Sequence, residues 1–262
     1  MAKTTLSVNM GVELAMLGVT TAIIDCDINH HSSIFGREFL KKNHDVPISF
    51  IDSVDTANVI SKIKEAEASN DVVIVDLPAG TTELSLRALT RSQLVVIPAQ
   101  KTAFDVRDAT RTALQIKDAE EVANVRINSV LVWSRVAARK ETRTERTVRQ
   151  LFLDMITDPE RSVLKAPLLE YDAFSAGFVY GWVPRQVAEH AGKPLPDDQS
   201  GIIIPGSAAK ATENIAALTG EVFNILTSLS EGGPAVQVRL KPDYQEMLER
   251  LEKIGDGTPA AA

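Results

Sequence analysis

Two stretches decide the fold of this chain: VTTAIIDCD at residues 19–27 and VVIVDLPAG at residues 72–80. In each of them, a mostly apolar run leads into an aspartate and then into a loop. Apolar runs without alternation are typical of strands that are buried on both faces of a parallel sheet. Because open parallel sheets bind ligands at the carboxyl ends of their strands, we predict Asp25, Asp27 and Asp76 at a ligand-binding edge.

Outward from these stretches, apolar runs alternate with helical periodicity. We predict strands at 19–26, 71–77, 93–98 and 127–132, and helices at 4–17, 55–69, 82–90, 103–123, 141–157, 207–229 and 241–254. In the first helix, which Gly18 closes, one predicted apolar face holds Leu6, Met10, Leu14 and Leu17. The alternation predicts an α/β fold: a mostly parallel sheet with helices on both faces and a helical C-terminal elaboration.

The composition is that of a globular protein long enough for a sizeable core. The 262 residues are 44% hydrophobic, and the net charge of −7 excludes a uniformly basic nucleic-acid coat. The single cysteine, Cys26, cannot build a disulfide framework, which is typical of a reducing compartment. No uninterrupted apolar run is long enough to span a membrane, so we expect a cytoplasmic protein. We expect one domain at 1–230, followed by a C-terminal helix and flexible tail at 231–262.

The start of the chain holds a second candidate element. Lys3-Thr4 at the beginning of a helix matches the last part of a phosphate loop, in which the ammonium reaches phosphates and the hydroxyl reaches magnesium. An aspartate that ends an apolar strand is the usual magnesium-holding element of nucleotide hydrolases. The alternative is a solvated lysine and solvated loop aspartates, with Asp27 as the cap of a helix that begins near Asn29.

Taken in order, these motifs resemble the deviant Walker A ATPases of the ParA/MinD type, which position plasmids, chromosomes and division sites. The resemblance extends over residues 3–135, and its motifs are KTTLSVNM (3–10), IIDCD (23–27), VVIVDLPAG (72–80) and RSQLVVIPAQKTAFDVRDA (91–109). A fainter resemblance, in LLEYDAFSAGF at 168–178, is to the VirC-type branch, whose members assist DNA transfer. The resemblance implies a P-loop NTPase fold, with ATP and Mg²⁺ as cofactors.

On the phosphate side, the resemblance implies roles for the first residues of the chain. Lys3 would be the catalytic, phosphate-binding Walker lysine, and Ala2 stands where the last loop glycine belongs. Thr4 would ligate Mg²⁺, and Thr5 would contact the α-phosphate. The family's loop reads KGGxGKT[TS], and its glycines, signature lysine and first strand are absent from this sequence. We therefore expect upstream residues to supply a strand and a glycine-rich loop, which a weak ATPase would need.

At the strand ends, the resemblance implies a second set of roles. Asp25 would support the magnesium shell, Asp76 would hold magnesium through water, and Asp27 would orient the attacking water. Ser134 and Arg135 stand where the family often has Asn-Arg near the adenine. The residues after Asp27 are Ile-Asn-His instead of the usual Pro-Gln, so the water-positioning loop is altered.

Residues 135–149 (RVAARKETRTERTVR) form a basic segment in an acidic protein, with six basic and two acidic side chains. We predict that Arg139, Lys140, Arg143 and Arg146 lie on one side of a helix. This pattern favours contact with the phosphates of non-specific DNA, as the resemblance also implies. The alternative is a solvated helix with Glu–Arg pairs.

The leading hypothesis is a ParA-like ATPase that partitions or transfers DNA through ATP-dependent dimerisation and non-specific DNA binding. Its expected partners are a second copy when ATP is bound, DNA, and a ParB-like DNA-binding protein or a protein of a transfer machinery. This would associate it with the nucleoid. The alternative is a non-hydrolysing adaptor that has lost nucleotide binding. A metabolic ATPase of the same loop class is a third hypothesis, which the lone Cys26 disfavours.

Overall fold

The computed structural model describes residues 2–80, 82–190 and 207–255. In chain order the elements are α1 (Ala2–Met16), β1 (Thr21–Asp25), α2 (His31–Leu40), β2 (Ile48–Ile51), α3 (Val59–Glu67), β3 (Val72–Asp76), α4 (Glu83–Leu89), β4 (Leu94–Ala99), α5 (Ala103–Ala123), β5 (Asn128–Val136), α6 (Arg143–Met155), α7 (Pro159–Ser162), β6 (Leu168–Leu169), α8 (Asp172–Tyr180), α9 (Pro184–Glu189), α10 (Ala208–Ser230) and α11 (Tyr244–Gly255). The parallel strands and their flanking helices confirm the predicted α/β class.

The chain divides into two compact units. Unit 1 contains the residues up to Ala88 together with Leu169–Gly220, and unit 2 contains Leu89–Leu168 together with the residues from Glu221 onward. The sheet of unit 1 has the order β2-β1-β3, and the second sheet has the order β4-β5-β6.

Strand β1 is the centre of unit 1, because it is buried along its whole length between β2 and β3. Its alternate side chains enter two different cores. Ile23 packs with Val8 and Val12 of α1 and with the aromatic rings of α2, whereas Ile24 packs on the other face with Val59 and Ile63 of α3. Both faces of the strand are therefore covered, as the unbroken apolar run predicts.

More of the surface of helix α1 is buried than the apolar face predicted from the sequence. Leu6, Met10 and Leu14 are buried as predicted, but the prediction for Leu17 is wrong, since this side chain is 69% exposed. The helix ends at Met16, and Leu17 lies in the turn that leads to Gly18 in a left-handed conformation (φ 88°). Gly11 lets α1 approach β1 closely, because a Cβ there would come within 2.7 Å of the Ile23 side chain.

Sequence periodicity missed several elements of unit 1, above all β2 and α2. Strand β2 has only four residues. Helix α2 follows His30, which has a left-handed backbone (φ 50°) and whose side chain makes no capping hydrogen bond. Both are held by tertiary packing, in which Phe35 and Phe39 of α2 are buried and Ile48 of β2 joins the same core.

The α8–α9 segment is attached to α1 and α2 through polar contacts. Arg185 of α9 donates to Glu13 of α1 at 2.8 Å, and the Glu13 side chain is only 5% exposed. Trp182 stacks on His190 with ring centroids 4.6 Å apart, and the ammonium of Lys42 lies 5.0 Å from the Trp182 ring centroid. Tyr180 packs against the same indole, with ring centroids 5.5 Å apart.

Unit 2 is built on the parallel pair β4–β5, whose register runs from Leu94 opposite Asn128 to Ala99 opposite Trp133. Helix α11 packs against α5 and α6, and Leu240 forms an antiparallel bridge with Ile156. The domain division at residue 230 stays a prediction, and the predicted tail falls on residues 256–262, outside the described part. No helix within the described ranges is long and apolar enough to cross a membrane.

The Glu13–Arg185 pair allows a test of how α9 is held. Arg185→Met removes the ion-pair partner of a buried carboxylate, so we expect the free energy of unfolding to fall by about 1–3 kcal/mol. Arg111→Met is the matched control, because Arg111 and Asp108 form an ion pair in which both side chains are more than 60% exposed. The control should cost less than about 0.5 kcal/mol in urea unfolding. If both variants lose the same free energy of unfolding, the Glu13–Arg185 pair does not hold α9 to α1.

Candidate nucleotide and metal site

The site begins with two carboxylates at the ends of neighbouring strands. Asp25 ends β1, Asp76 ends β3, and the register places them directly opposite each other. They are 0% and 1% exposed, and no ion-pair partner of either occurs in the described part of the chain. Two adjacent buried carboxylates that pair with no Lys or Arg side chain of the described residues are costly, and such a pair suits a cation as ligand.

Hydroxyl and amide groups hold the Asp76 and Asp25 carboxylates in place. Ser32 donates to Oδ2 of Asp76 at 2.5 Å, and Ser7 donates to Oδ1 at 3.4 Å. Asp25 accepts hydrogen bonds from the backbone N–H groups of Asp27 and Ser33, at 3.1 and 2.8 Å. Each carboxylate is therefore held by the first turn of α2, with Ser7 of α1 as a further donor to Asp76 and the backbone of Asp27 as a further donor to Asp25.

Burial raises the pKa of Asp76, and the charge of Asp25 acts in the same direction. Hydrogen bonds from the Ser32, Thr4 and Ser7 hydroxyls oppose this shift. The balance leaves the Asp76 pKa above its ordinary value, so the folded protein holds this charge at a cost. A bound cation would remove that cost.

The first turn of α1 belongs to the same site. The hydroxyl of Thr4 donates to Asp76, and the charge of Lys3 is among the causes that lower the pKa of Asp27. Ala2 and Thr5 lie in the same helical turn. The structure therefore brings Lys3 and Thr4 to the edge that carries the three aspartates.

Asp27 is not the cap of a helix, which was the alternative interpretation from sequence. Its Oδ1 accepts from the backbone N–H and the side-chain amide of Asn29, at 2.9 and 2.8 Å, and α2 begins only at His31. The backbone bond from Asn29 is the largest cause of the lowered pKa of Asp27. The carboxylate is thus ionised at neutral pH, and its Oδ2 has no described hydrogen-bond partner.

Three serines of the site were missed from sequence: Ser7, Ser32 and Ser33. Ser7 lies one helical turn after Thr4, a spacing that could have indicated a second hydroxyl on the same face. Ser32 and Ser33 open α2, which the periodicity did not show. The Ser33 hydroxyl is buried and has no hydrogen-bond partner among the described residues.

The donors at this edge, two carboxylates and the Thr4 hydroxyl, are oxygen ligands of the kind that Mg²⁺ prefers. No group of three or more His, Cys, Asp or Glu side chains that could hold a metal is found within the described ranges. Burial and the charges of Asp25 and Asp76 raise the pKa of Cys26 to about 12, so this thiol is protonated. Mg²⁺ suits such a site, because it usually takes one or two carboxylates and completes its shell with water and phosphates.

The basic segment of unit 2 differs from the prediction. Helix α6 begins at Arg143, because Thr142 caps it and Glu145 closes a capping box with the Thr142 backbone. Arg139 and Lys140 therefore lie in the preceding loop, and the prediction of four cations on one helix side is wrong. Arg139 forms a bidentate pair with Glu145, with both N–O distances at 2.9 Å.

Comparison with known proteins agrees with this geometry. The model of the family described as VirC1 protein matches residues 1–196. The chain belongs to the VirC1 protein family. The resemblance to ParA/MinD-type proteins, with a VirC-type branch, is thereby confirmed.

Among the relatives of this VirC1-family chain is a protein named ParA from Rhizobium radiobacter, which is 25% identical over 227 residues and covers 86% of this chain and 92% of its own. An ATP complex of a McdA variant from Cyanothece has a TM-score of 0.62 at 12% identity, with 85% of this chain and 92% of McdA covered. MinD of Pyrococcus horikoshii, complexed with Mg-ADP, has a TM-score of 0.53 at 16% identity, with 86% and 91% covered. At these identities the two structures show the fold alone.

Two predicted adenine-site residues of the VirC1-family chain lie at the end of β5 in unit 2. Ser134 is 2% exposed, whereas Arg135 is exposed and has a left-handed backbone (φ 51°). A role for them near a base stays a prediction.

Because two carboxylates of this VirC1-family chain are buried side by side, we predict that neutralising one of them stabilises the protein. Asp76→Asn removes one of two adjacent buried charges, so we expect the free energy of unfolding at pH 7 to rise by on the order of 1 kcal/mol. Because the folded pKa of Asp76 is raised, its protonated form is the more stabilising one, and wild-type stability is lost as pH rises through that pKa. The gain of the variant should therefore shrink as pH falls. Thermal unfolding from pH 4 to 8, with and without Mg²⁺, measures both effects.

The control for this prediction is Asp71→Asn. The Asp71 carboxylate is exposed and accepts from the Thr20 hydroxyl and backbone N–H at 2.6 and 3.0 Å, and these bonds lower its pKa. Its neutralisation should not stabilise the protein, and Mg²⁺ should stabilise this control as much as wild type. A destabilised Asp76→Asn variant, or one that gains equally from Mg²⁺, would contradict the cation site.

Proposed function

We propose that this protein is a ParA-like ATPase that acts in DNA partition or DNA transfer, with ATP and Mg²⁺ bound at the carboxyl ends of β1 and β3. The observation that carries the proposal is the buried pair of Asp25 and Asp76 at the sheet edge to which α1 brings Lys3 and Thr4. The ParA relative and the nucleotide complexes of McdA and MinD support it. We also propose that it dimerises when ATP is bound and associates with the nucleoid, as the ParA/MinD resemblance implies.

The residues of the site divide the work between binding and hydrolysis. Lys3 would bind the β- and γ-phosphates, and the N-terminus of α1 would favour their negative charge. Thr4 and Asp76 would hold Mg²⁺, with Asp25 supporting its shell, and the bound ion would neutralise phosphate charge. The free Oδ2 of Asp27 would accept a hydrogen bond from the attacking water and hold it in line.

A non-hydrolysing adaptor is the second candidate function, and one observation favours it. Oδ1 of Asp27 is already engaged by two donors of Asn29, which leaves a single oxygen for the water. In an adaptor, the Asp27 turn would serve only to hold the β1–α2 loop. Turnover measurements separate the two functions.

The division of roles between Asp27 and Lys3 predicts different effects for their substitution by alanine. Asp27→Ala should abolish ATP turnover and leave nucleotide affinity within several-fold, because Asp27 positions water and does not bind phosphate. Lys3→Ala should weaken nucleotide binding itself. Titration calorimetry and phosphate release, each in saturating Mg²⁺, measure the two effects. An equal loss of binding in both variants refutes the division of roles, and wild type that neither binds nor hydrolyses ATP selects the adaptor.

We also propose that the basic segment contacts duplex DNA. Lys140 and Arg143 are exposed, and neither has an ion-pair partner among the described residues. The segment 135–149 contains no aromatic residue, so it offers no stacking platform for single-stranded bases. Free cations without aromatic neighbours favour the phosphates of a duplex.

This proposal predicts a change in salt dependence. Lys140→Gln with Arg143→Gln should weaken binding to any duplex sequence and flatten the log–log salt slope by about 1.8, at about 0.9 per lost phosphate contact. Lys64→Gln with Lys210→Gln removes the same charge from exposed positions of unit 1 and should leave the slope unchanged. Equal slopes in the two double variants, measured by fluorescence anisotropy from 50 to 200 mM salt, would assign Lys140 and Arg143 to a solvated surface.

A further inference from the structure

One carboxylate of unit 2, that of Glu141, is surrounded by three cations. Lys101 Nζ lies 2.8 Å from its Oε1, Arg149 contacts both oxygens at 3.1 and 3.3 Å, and Arg146 Nε lies 3.9 Å from Oε2. These cations come from two parts of the unit, since Lys101 follows β4 and the two arginines belong to α6. The cluster of Lys101, Glu141, Arg146 and Arg149 has a net charge of +2.

The cluster has the features of an anion-binding site. An arginine that reaches both oxygens of one carboxylate uses the geometry with which guanidinium groups bind phosphate, and a lysine adds a point charge. Glu141 is 21% exposed and Arg149 is 30% exposed, so the carboxylate lies near the surface, where another anion could replace it. In the structure, Glu141 itself is the anion.

The position of the cluster in the basic segment adds to this argument. Glu141 directly follows Lys140 and lies two residues before Arg143, the two exposed cations without an ion-pair partner. Glu145 engages Arg139 and caps α6, and Arg139 and the capping bonds lower the pKa of Glu145 to about 2. Glu145 therefore has a helix-capping role, whereas Glu141 caps no helix in the structure.

We propose that Glu141 occupies a site for a phosphate group of duplex DNA, so that it competes with the DNA and limits the affinity of the basic segment. Lys101 and Arg149 are then members of the DNA-binding surface. The inference rests on the proposed function in one respect, which is duplex DNA as the partner. A duplex that approaches Lys140 and Arg143 places further phosphates beside the Glu141 cluster.

The test compares two substitutions that remove the same charge. Glu141→Gln removes the carboxylate that pairs with Lys101, Arg146 and Arg149. We expect the variant to bind duplex DNA at least about fivefold more tightly at 50 mM salt, with a log–log salt slope that is steeper by about 0.9–1.8. Glu121→Gln is the matched control, because Glu121 is exposed on α5 and, within the described ranges, its ion pair is a long one of 3.7 Å with Lys117. If Glu141→Gln and Glu121→Gln have the same DNA affinity and the same log–log salt slope, the inference is overturned.

Two further variants separate competition from a purely structural role. Lys101→Gln and Arg149→Gln break the same cluster, and each should lower the thermal midpoint as Glu141→Gln does. For DNA affinity the expected signs are opposite: these two variants bind more weakly than wild type, whereas Glu141→Gln binds more tightly. If all three variants change DNA affinity in the same direction, the cluster is structural and the inference is overturned.

The same measurements keep the inference distinct from the proposed function. If wild type binds duplex DNA and Glu141→Gln equals its control, the inference fails and the DNA-binding proposal stands. If neither wild type nor Glu141→Gln binds duplex at 50 mM salt, the proposed DNA partner is wrong, and the inference falls with it.

Discussion

The constraint on which this structure depends is the placement of two carboxylates side by side in the interior. The parallel register of β1 and β3 puts Asp25 opposite Asp76, and the burial of both side chains removes the water that would otherwise screen them. Proteins tolerate such an arrangement when hydrogen bonds and a ligand compensate it. Here Ser32, the amide of Ser33 and the first turn of α1 supply the hydrogen bonds, and these elements lie where the carboxylates require them.

The same constraint explains why Asp27, the candidate that positions water, comes from a short connection rather than from the interior of a helix or strand. The strands give the carboxylates a fixed position, because β1 is locked between two cores and two neighbouring strands. The loop that follows β1 is then shaped by Asp25, which accepts from the amides of both Asp27 and Ser33. A rigid sheet edge with a loop tied to it is the usual way in which α/β proteins hold a phosphate ligand.

The sequence predicted the parts of the fold that are governed by apolar periodicity. The buried runs around residues 23 and 74 and the long helix α5 were evident, because their patterns extend over many residues. Strand β2 and helix α2 were not, since four residues and an uncapped helix start carry little local signal. The start of α6 was placed two residues too early, although the capping box of Thr142 and Glu145 is present in the sequence. Local hydrogen bonding, rather than hydrophobic pattern, decided that boundary.

The candidate site was predictable in its charged residues and not in its hydroxyls. Asp25, Asp27 and Asp76 follow from the strand ends, and Lys3 and Thr4 follow from the helix start. Ser7, Ser32 and Ser33 could be recognised only after the packing of α2 was known, because serine is common in loops and gives no periodic signal. The Glu141 cluster was not predicted either, because Lys101 comes within reach of Glu141 only when the end of β4 and the start of α6 are assembled.

The sequence distances within the site imply an order of assembly. The Asp25–Ser33 contact spans eight residues, so the loop that carries Asp27 closes at low entropic cost as soon as β1 and α2 approach each other. Asp76 arrives from a strand 51 residues further along the chain, and this long-range pairing is the slower event. The loop can therefore exist before the second negative charge reaches it. Docking of β3 is then the step that both completes the site and introduces its electrostatic cost, so a chain with β3 detached would keep its loop and lose its site.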